Sequence, residues 1–372
     1  MPWALILWIV VLVLAFLVVQ WFILAAVLAW GDQQTQGLAY YGRPAPERAR
    51  FRETLRSQAR MLYPILRLFG RLSSFSFEKA SFRHRDVAGP QGTCSPESFA
   101  AADDYVPRAG DVFVATQMKC GTTWMQHVVY EVLHRGAGNL VESGTALYAV
   151  CPWLEARKSV PIADAPLLGA GKPSRVIKTH LPAQLCPQSP DAKYIYVARH
   201  PVSCFASCVD FIGANVGTFR PELEAIERWY CSDAMWWGPW TDHVSGWWQL
   251  SQKQENVLFV RFEDMKKDLP RVVRQVAEFL GVEPLNDDEL ARVVTKCSFG
   301  YMQEHKEAFE MHPPHLLAVD SELFVRGTSD RYKDVPQATR DRIREWSIRE
   351  TGDRFPLADL YPDLANVEAG GS

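Results

Sequence analysis

Eight consecutive residues, Gln117-Met118-Lys119-Cys120-Gly121-Thr122-Thr123-Trp124, carry the densest chemistry in this chain. They follow the apolar run 112–115 and lead into a helical pattern whose apolar positions are Trp124, Val128, Val129, Val132 and Leu133. A strand that breaks into a glycine turn and then enters a helix aims successive backbone N–H groups at one point. Lys119 adds a full positive charge there, and Thr122 and Thr123 add hydroxyl donors. The chemistry implied is the cradling of an oxyanion, a phosphate or a sulfate. A nucleoside triphosphatase loop reads GxxxxGK[ST], with its lysine after the second glycine and a hydroxyl on magnesium. Here Lys119 precedes Gly121 and no glycine occupies the five positions before it. The cation therefore approaches from the strand side.

Three further strand-like runs, 176–178, 194–198 and 257–262, alternate with helical patterns from Tyr105 onward. Alternation of this kind predicts an α/β fold, a parallel sheet covered by helices, with ligands at the C-terminal strand ends. The second run continues into Lys178-Thr179-His180-Leu181-Pro182, which brings a cation and an imidazole to a strand end. The third ends in Arg199-His200-Pro201, with Ser203 and Ser207 on the helix that follows. A magnesium-dependent phosphotransfer site places an aspartate near a strand end. A cation there favours a bound anion over a bound metal. The fourth gives Arg261-Phe262-Glu263-Asp264 before a helix predicted over 265–280, with Asp264 as its N-cap and Gly281 as its C-cap. A metal role for Glu263 or Asp264 is the rival reading. Cys204 and Cys208, four residues apart without a second pair, read as core thiols rather than zinc ligands.

The elements that must hold these residues sit in a chain of 372 residues, enough for one large core or two small domains. A net charge of −3 argues against a nucleic-acid partner. Residues 2–30 contain no charged side chain and one strongly polar one, Gln20. They exceed the roughly 20 residues that cross a bilayer, whereas a cleaved signal peptide wants a basic start and a shorter apolar core. The expected organisation is a transmembrane anchor over 1–31, a basic juxtamembrane segment over 32–100, a catalytic domain over 101–361 and a tail over 362–372. Arg43, Arg48, Arg50, Arg52, Arg56, Arg60, Arg67 and Arg71 follow the apolar run and no charge precedes it. The positive-inside rule then puts the bulk of the chain in the cytosol. The same arginines form one face of a helix over 48–71, with Leu55, Leu62, Ile65, Leu66 and Phe69 opposite, suited to an anionic membrane surface. Eight scattered cysteines and the absence of any N-x-[ST] sequon agree with a reducing compartment. The Gly-, Pro- and Ser-containing stretch 88–98 reads as a linker.

With these motifs in order, residues from about 105 to 351 resemble the cytosolic-type sulfotransferase family. Lys119 to Trp124 is similar to the family's 5′-phosphosulfate loop, and Lys178 to Pro182 to the segment bearing its catalytic histidine. Arg199, followed eight residues later by Ser207, is similar to its 3′-phosphate motif. The run from Gly238-Pro239-Trp240 through His243 to Trp247-Trp248, Phe262 to Met265, Ser298-Phe299 with Met302, and Arg326-Gly327 complete the series. The resemblance implies a three-layer, P-loop-NTPase-like sulfotransferase fold and a metal-free transfer from 3′-phosphoadenosine-5′-phosphosulfate (PAPS), leaving 3′-phosphoadenosine 5′-phosphate (PAP). His180 would act as base, with Lys119 and Lys178 neutralising charge near the transferred group. Lys119, Cys120, Gly121, Thr122, Thr123 and Trp124 would hold the donor together with Arg199, Ser207, Phe262, Cys297, Phe299, Met302, Arg326 and Gly327.

Some positions depart from the family pattern. Residues 325–333 lack one phosphate-gripping cation, which Arg331 replaces in our reading. Phe262 stands where tyrosine is common, and Cys297 where threonine is. No family dimer motif follows Lys333, so oligomeric state stays open. The Trp-dense segment 229–248, with Tyr230, Met235, Trp236 and Trp237, predicts an apolar acceptor wall and a lipophilic alcohol, such as a sterol or hydroxylated lipid. Alternatives are a glycan sulfotransferase facing the Golgi lumen, an ATP-dependent P-loop phosphotransferase, and a tethered nucleotide-binding protein without chemistry.

Overall fold

The structure is a computed structural model that describes residues 2–169, 171, 173–311, 313–317 and 329–365. Arg326 and Gly327 lie outside the described residues, as does the side chain of Arg331. Two short strands, β1 (Ser81–His84) and β2 (Val87–Pro90), pair antiparallel through a two-residue turn. Arg85 and Asp86 both have positive φ in that turn, 44° and 66°, the backbone twist that a tight hairpin needs. The stretch 88–98 is therefore no linker. It completes β2, and Ser95 then caps the Pro96–Asp103 helix.

The four expected strands form one parallel sheet: β3 (Asp111–Ala115), β4 (Arg175–Thr179), β5 (Lys193–Ala198) and β6 (Val257–Arg261), in the order β4-β3-β5-β6. Val112 pairs with Val176 on one side and Lys193 on the other. The near-continuous burial of β3, β4 and β5 explains their unbroken apolar runs, because helices cover both faces. The chain leaves β3 toward β4, then crosses to β5 on the opposite side. This reversal opens a crevice at the C-terminal ends of β3 and β5, where such folds bind ligands.

The fourth run ends one residue earlier than predicted. Phe262 opens a short helix, Phe262–Lys267, and a second helix, Leu269–Leu280, follows. The single helix expected over 265–280 is broken because Pro270 lacks an N–H and fits only a first helical turn. Asp268 is the N-cap, accepting from the Arg271 N–H at 3.0 Å, while Asp264 instead pairs with Arg261 at 2.7 Å. Gly281 is the C-cap, with φ of 71°.

The Pro2–Gln34 helix is apolar enough to cross a membrane, and its window of highest hydropathy has no buried residue. A second apolar helix, Pro201–Val216, is the partly buried core helix that carries Ser203 and Ser207. The arginine-rich segment forms the Ala45–Leu72 helix, with Phe51, Leu55, Leu62, Ile65 and Leu66 buried and Phe69 exposed. Burial of each such side chain stabilises by about 1.5–3 kcal/mol. Arg48 is buried too, donating to the carbonyls of Arg43 and Gly144 at 2.7 and 3.1 Å. This helix thus shares the main core. At the other end Leu364 is buried, and Asp363 lies 3.0 Å from His200. Packed chain runs past the expected boundary at 361.

Candidate active site

The cradle begins where β3 ends. Gln117 fixes the turn, its amide donating to the carbonyls of Trp236 at 3.1 Å and Gly238 at 2.5 Å. Lys119 has φ of 65° and Gly121 φ of 99°, so the chain reverses sharply before the Thr122–Leu133 helix starts. Gly121 is required twice over. Its φ suits glycine, and a Cβ there would sit 2.7 Å from Phe262 Cδ2. Cys120 is buried, its sulfur 3.7 Å from that of Cys204. Cys204 and Cys208 are fully buried, as expected of core thiols.

Four basic groups converge on the turn. Lys119 Nζ stands 4.6 Å from the Phe211 ring centroid, and burial lowers its pKa to about 8. Lys178 is fully buried in β4. Its Nζ lies 3.3 Å from the Trp153 centroid and has no hydrogen-bond partner among the described residues. Burial holds its pKa well below that of a free lysine, against the pull of Glu155. Arg199 ties the β5 end to the cradle, donating from Nη1 to the Lys119 carbonyl at 2.8 Å, and its buried Nε has no partner among the described residues. Its guanidinium lies over Phe262 at 4.5 Å.

His180 is the fourth. Its Nδ1 is 2.8 Å from the Thr116 carbonyl oxygen. A carbonyl only accepts, so Nδ1 carries the proton and Nε2 keeps its lone pair. Burial, then the neighbouring Lys178, holds its pKa well below 6.5, which leaves the ring neutral. Trp153 and Trp237 pack on the imidazole, centroids 5.1 and 4.8 Å away. Its backbone is pinned on both sides: the His180 N–H donates to Glu155 Oε1 at 2.8 Å, and His243 Nε2 donates to the His180 carbonyl at 2.9 Å. The Tyr196 hydroxyl fixes the His243 tautomer, donating to Nδ1 at 2.9 Å.

Of the remaining expected residues, Thr122 Oγ1 lies 2.5 Å from Thr116 Oγ1, and Thr123 Oγ1 lies 2.9 Å from the Tyr148 hydroxyl. Trp124 donates its indole N–H to the Cys297 carbonyl at 2.7 Å and meets Phe262 edge-on. Cys297 thus contributes its backbone while its thiol is buried. Phe299 is 37% exposed at the start of the next short helix, whose Met302 is buried. Ser207 is half-buried, one turn beyond Ser203. Ser203, Arg199 and Phe262 line a cavity of about 490 Å³ that also receives Arg261, Lys266 and Lys267.

A second cavity, about 470 Å³, is mostly apolar and lined by Tyr148, Trp153, Phe211, Phe75, Phe219 and Trp236 among others. Tyr148, Trp153 and Phe211 connect it to the basic cluster, since they touch Thr123, Lys178, His180 and Lys119. The Trp-dense segment supplies only part of its wall. Trp236 lines it, whereas Trp229, Tyr230, Met235, Trp240 and Trp247 are buried in the core. Two of them brace strand ends: the indoles of Trp240 and Trp247 donate to the carbonyls of Arg199 and Leu181 at 3.1 and 3.2 Å.

Thr116, Tyr148, Trp153 and Glu155 complete the site without belonging to the expected set. Glu155 sits in a loop, yet it accepts from Thr179 Oγ1 at 2.9 Å as well as from the His180 N–H. Nothing in the spacing of these four marks them. Trp153 and Glu155 are placed by the way segment 152–154 runs beside β4, with the Leu154 N–H bonded to the Lys178 carbonyl at 2.8 Å, whereas Thr116 directly follows β3 and Tyr148 lies on the Leu147–Val150 helix.

Residues 109–347 match the family model described as Sulfotransferase domain. The chain belongs to the sulfotransferase family. This sulfotransferase is 30% identical over 270 residues to Sulfotransferase 2B1 of Mus musculus, covering 70% of this chain and 77% of that protein. It is also 30% identical over 251 residues to 3-alpha-hydroxysteroid sulfotransferase of Cavia porcellus, covering 66% and 85%. Among solved structures it resembles mouse sulfotransferase SULT7A1 complexed with PAP, at 21% identity and TM-score 0.57, covering 77% of this chain and 98% of that one. It also resembles retinol dehydratase in complex with androsterone and inactive cofactor PAP, at 19% identity and TM-score 0.60, covering 76% and 97%. At these identities the structures establish the fold, and the family match makes the chain a sulfotransferase enzyme.

Proposed function

We propose that this sulfotransferase moves a sulfuryl group from PAPS to the hydroxyl of a lipophilic acceptor, with His180 as the general base. The observation that carries the reading is a neutral imidazole with its proton on Nδ1, beside Lys178 Nζ, which has no hydrogen-bond partner among the described residues, both in contact with the Trp153 that lines the apolar cavity. A buried amine with unused donors suits an anionic group, and PAPS supplies one. The PAP complexes among the structural relatives and the steroid named for one relative support the donor and the acceptor class.

His180 Nε2 takes the proton of the acceptor hydroxyl as the new O–S bond forms. The S–O bond to the phosphate breaks, and its electron pair leaves on the phosphate oxygen. Lys119 and Lys178 meet that growing negative charge, while the cradle N–H groups, Thr122 and Thr123 hold the rest of the phosphosulfate. Lys178 recovers its full charge as the anion binds. Arg199 and Ser207, with Arg326 and Gly327, grip the 3′-phosphate, and Trp124, Phe262, Cys297, Phe299 and Met302 form the nucleoside side. Arg331 supplies the cation that the 325–333 loop otherwise lacks. No step of this chemistry calls for a metal.

In the same reading residues 1–31 are a single-pass anchor and the basic segment 32–100 faces the cytosol with the catalytic domain. The Pro2–Gln34 helix, exposed along most of its length, and the eight arginines between 43 and 71 support it. The acceptor class is tested with the full chain in phosphatidylcholine vesicles, offering labelled PAPS with sterols, hydroxylated lipids, phenols and sugars. Label should pass to alcohols held in the bilayer in preference to sugars. Selective labelling of sugars would overturn the lipophilic assignment and favour a glycan acceptor.

A further inference from the structure

The apolar cavity is not closed by the catalytic segments alone. Thr35 and Tyr41, which follow directly on the Pro2–Gln34 helix, both line it. Tyr41 is buried; its hydroxyl donates to the Met311 carbonyl at 3.0 Å, and its ring meets that of Tyr148 with centroids 5.9 Å apart. Met311 and Tyr148 line the same cavity, and the Tyr148 ring lies 5.2 Å from Lys178 Nζ. The end of the apolar helix is therefore connected to the reacting centre through one aromatic pair.

This wall is also fastened. Lys158, another lining residue, donates to Thr35 Oγ1 at 2.7 Å and pairs with Asp32 Oδ1 at 3.0 Å. Lys158 brings charge into a mostly apolar lining only to spend it on the helix end. Beside it, Gly37 has φ of 39°, and a Cβ there would meet the Ser159 carbonyl oxygen at 3.0 Å. The chain at 35–41 thus approaches the 156–159 loop as closely as glycine permits. Farther up, Trp30 packs on Phe51 with ring centroids 5.2 Å apart, which holds the helix base against the Ala45–Leu72 helix.

We propose that residues 32–41 are an acceptor-specificity element, a wall of the acceptor cavity stapled in place by Lys158. The inference rests on the reading of the cavity as the acceptor site and deepens it. A wall that is continuous with a bilayer-crossing helix holds the cavity beside the lipid surface. The acceptor it fits is a bulky alcohol resident in the bilayer, whose apolar body packs on Tyr41 and Phe219 while its hydroxyl reaches His180. The tether thereby does more than raise local concentration, since it supplies contact surface to the acceptor.

Two variants of the full chain in phosphatidylcholine vesicles test it. Thr35→Trp narrows the cavity from the wall, and Lys158→Met releases the staple. Each should raise the KM for a vesicle-held sterol by about tenfold or more, and raise it less for a small phenol, because the loss scales with the acceptor surface that meets the wall. Affinity for PAP should stay within about twofold, which also reports that the variants are folded. Unchanged sterol KM in both variants would overturn the proposal. Should the wild-type chain sulfate soluble phenols but no bilayer alcohol, the lipid reading fails by itself. The wall is then judged on the bulkiest phenol accepted: a raised KM for it upholds the specificity element, and an unchanged one removes it.

Discussion

At the scale of single residues, the site is a set of ionisable groups whose charges are decided by burial. His180 is kept neutral and its tautomer fixed by the Thr116 carbonyl. Burial lowers Lys119 to about 8 and holds Lys178 well below the range of a free lysine. An anion binds the protonated form of each lysine, and each protonated form is lost as pH rises through its folded pKa. PAP affinity should therefore fall as pH increases from 7 to 9.5, with the Lys119 step near 8. Lys119→Arg, whose guanidinium stays charged above pH 12 or so, should remove that step. Affinity that is flat across this range, measured by calorimetric titration, would show that Lys119 does not face the donor. Lys119, Lys178, His180 and Arg199 were all legible in the sequence, since each sits on or just after an apolar strand run. Glu155 was not, because a side chain's partners across two loops leave no local pattern, and Thr116 was not, because it acts through a backbone carbonyl that any residue carries.

At the scale of elements, the sheet was readable because β3, β4 and β5 are buried on both faces and so are written as unbroken apolar runs. The Trp-dense segment was legible only in part, for a related reason: Trp236 lines the apolar cavity while most of its neighbours pack the core. Apolar aromatics announce burial but not what they are buried against, and here the indoles brace the ends of β4 and β5. The helix predicted over 265–280 overlooked Pro270, which forces a restart capped by Asp268. The cradle turn is the element on which donor binding depends most. Gly121→Ala imposes a left-handed residue with a Cβ driven toward Phe262, a strain of about 1–3 kcal/mol. It should weaken PAP binding by about tenfold and lower the thermal midpoint. Adding Phe262→Leu should restore part of the midpoint by relieving the contact while the φ strain remains. Wild-type PAP affinity in Gly121→Ala would mean that the turn does not hold the donor.

At the scale of the whole molecule, the apolar run at 2–30 and the arginines after it were plain in composition, but their integration with the catalytic domain was not. The Ala45–Leu72 helix buries its apolar face in the main core, and Arg48 reaches the Gly144 carbonyl. Amphipathicity predicted a helix suited to a membrane surface, whereas Phe51, Leu55, Leu62, Ile65 and Leu66 of its apolar side are covered by protein. The same packing sets residues 35–41 against the apolar cavity, so that in the function proposed here anchor, acceptor site and donor cradle form one connected structure. The central claim is that this structure transfers a sulfuryl group with His180 as base. The direct measurement is transfer of labelled sulfate from PAPS to a vesicle-held sterol by the wild-type chain and by His180→Ala, with PAP affinity determined for both. The account predicts transfer by the wild type and a loss of about 10²–10⁴ in kcat for His180→Ala, at unchanged PAP affinity. Transfer that survives in His180→Ala at the wild-type rate would contradict it.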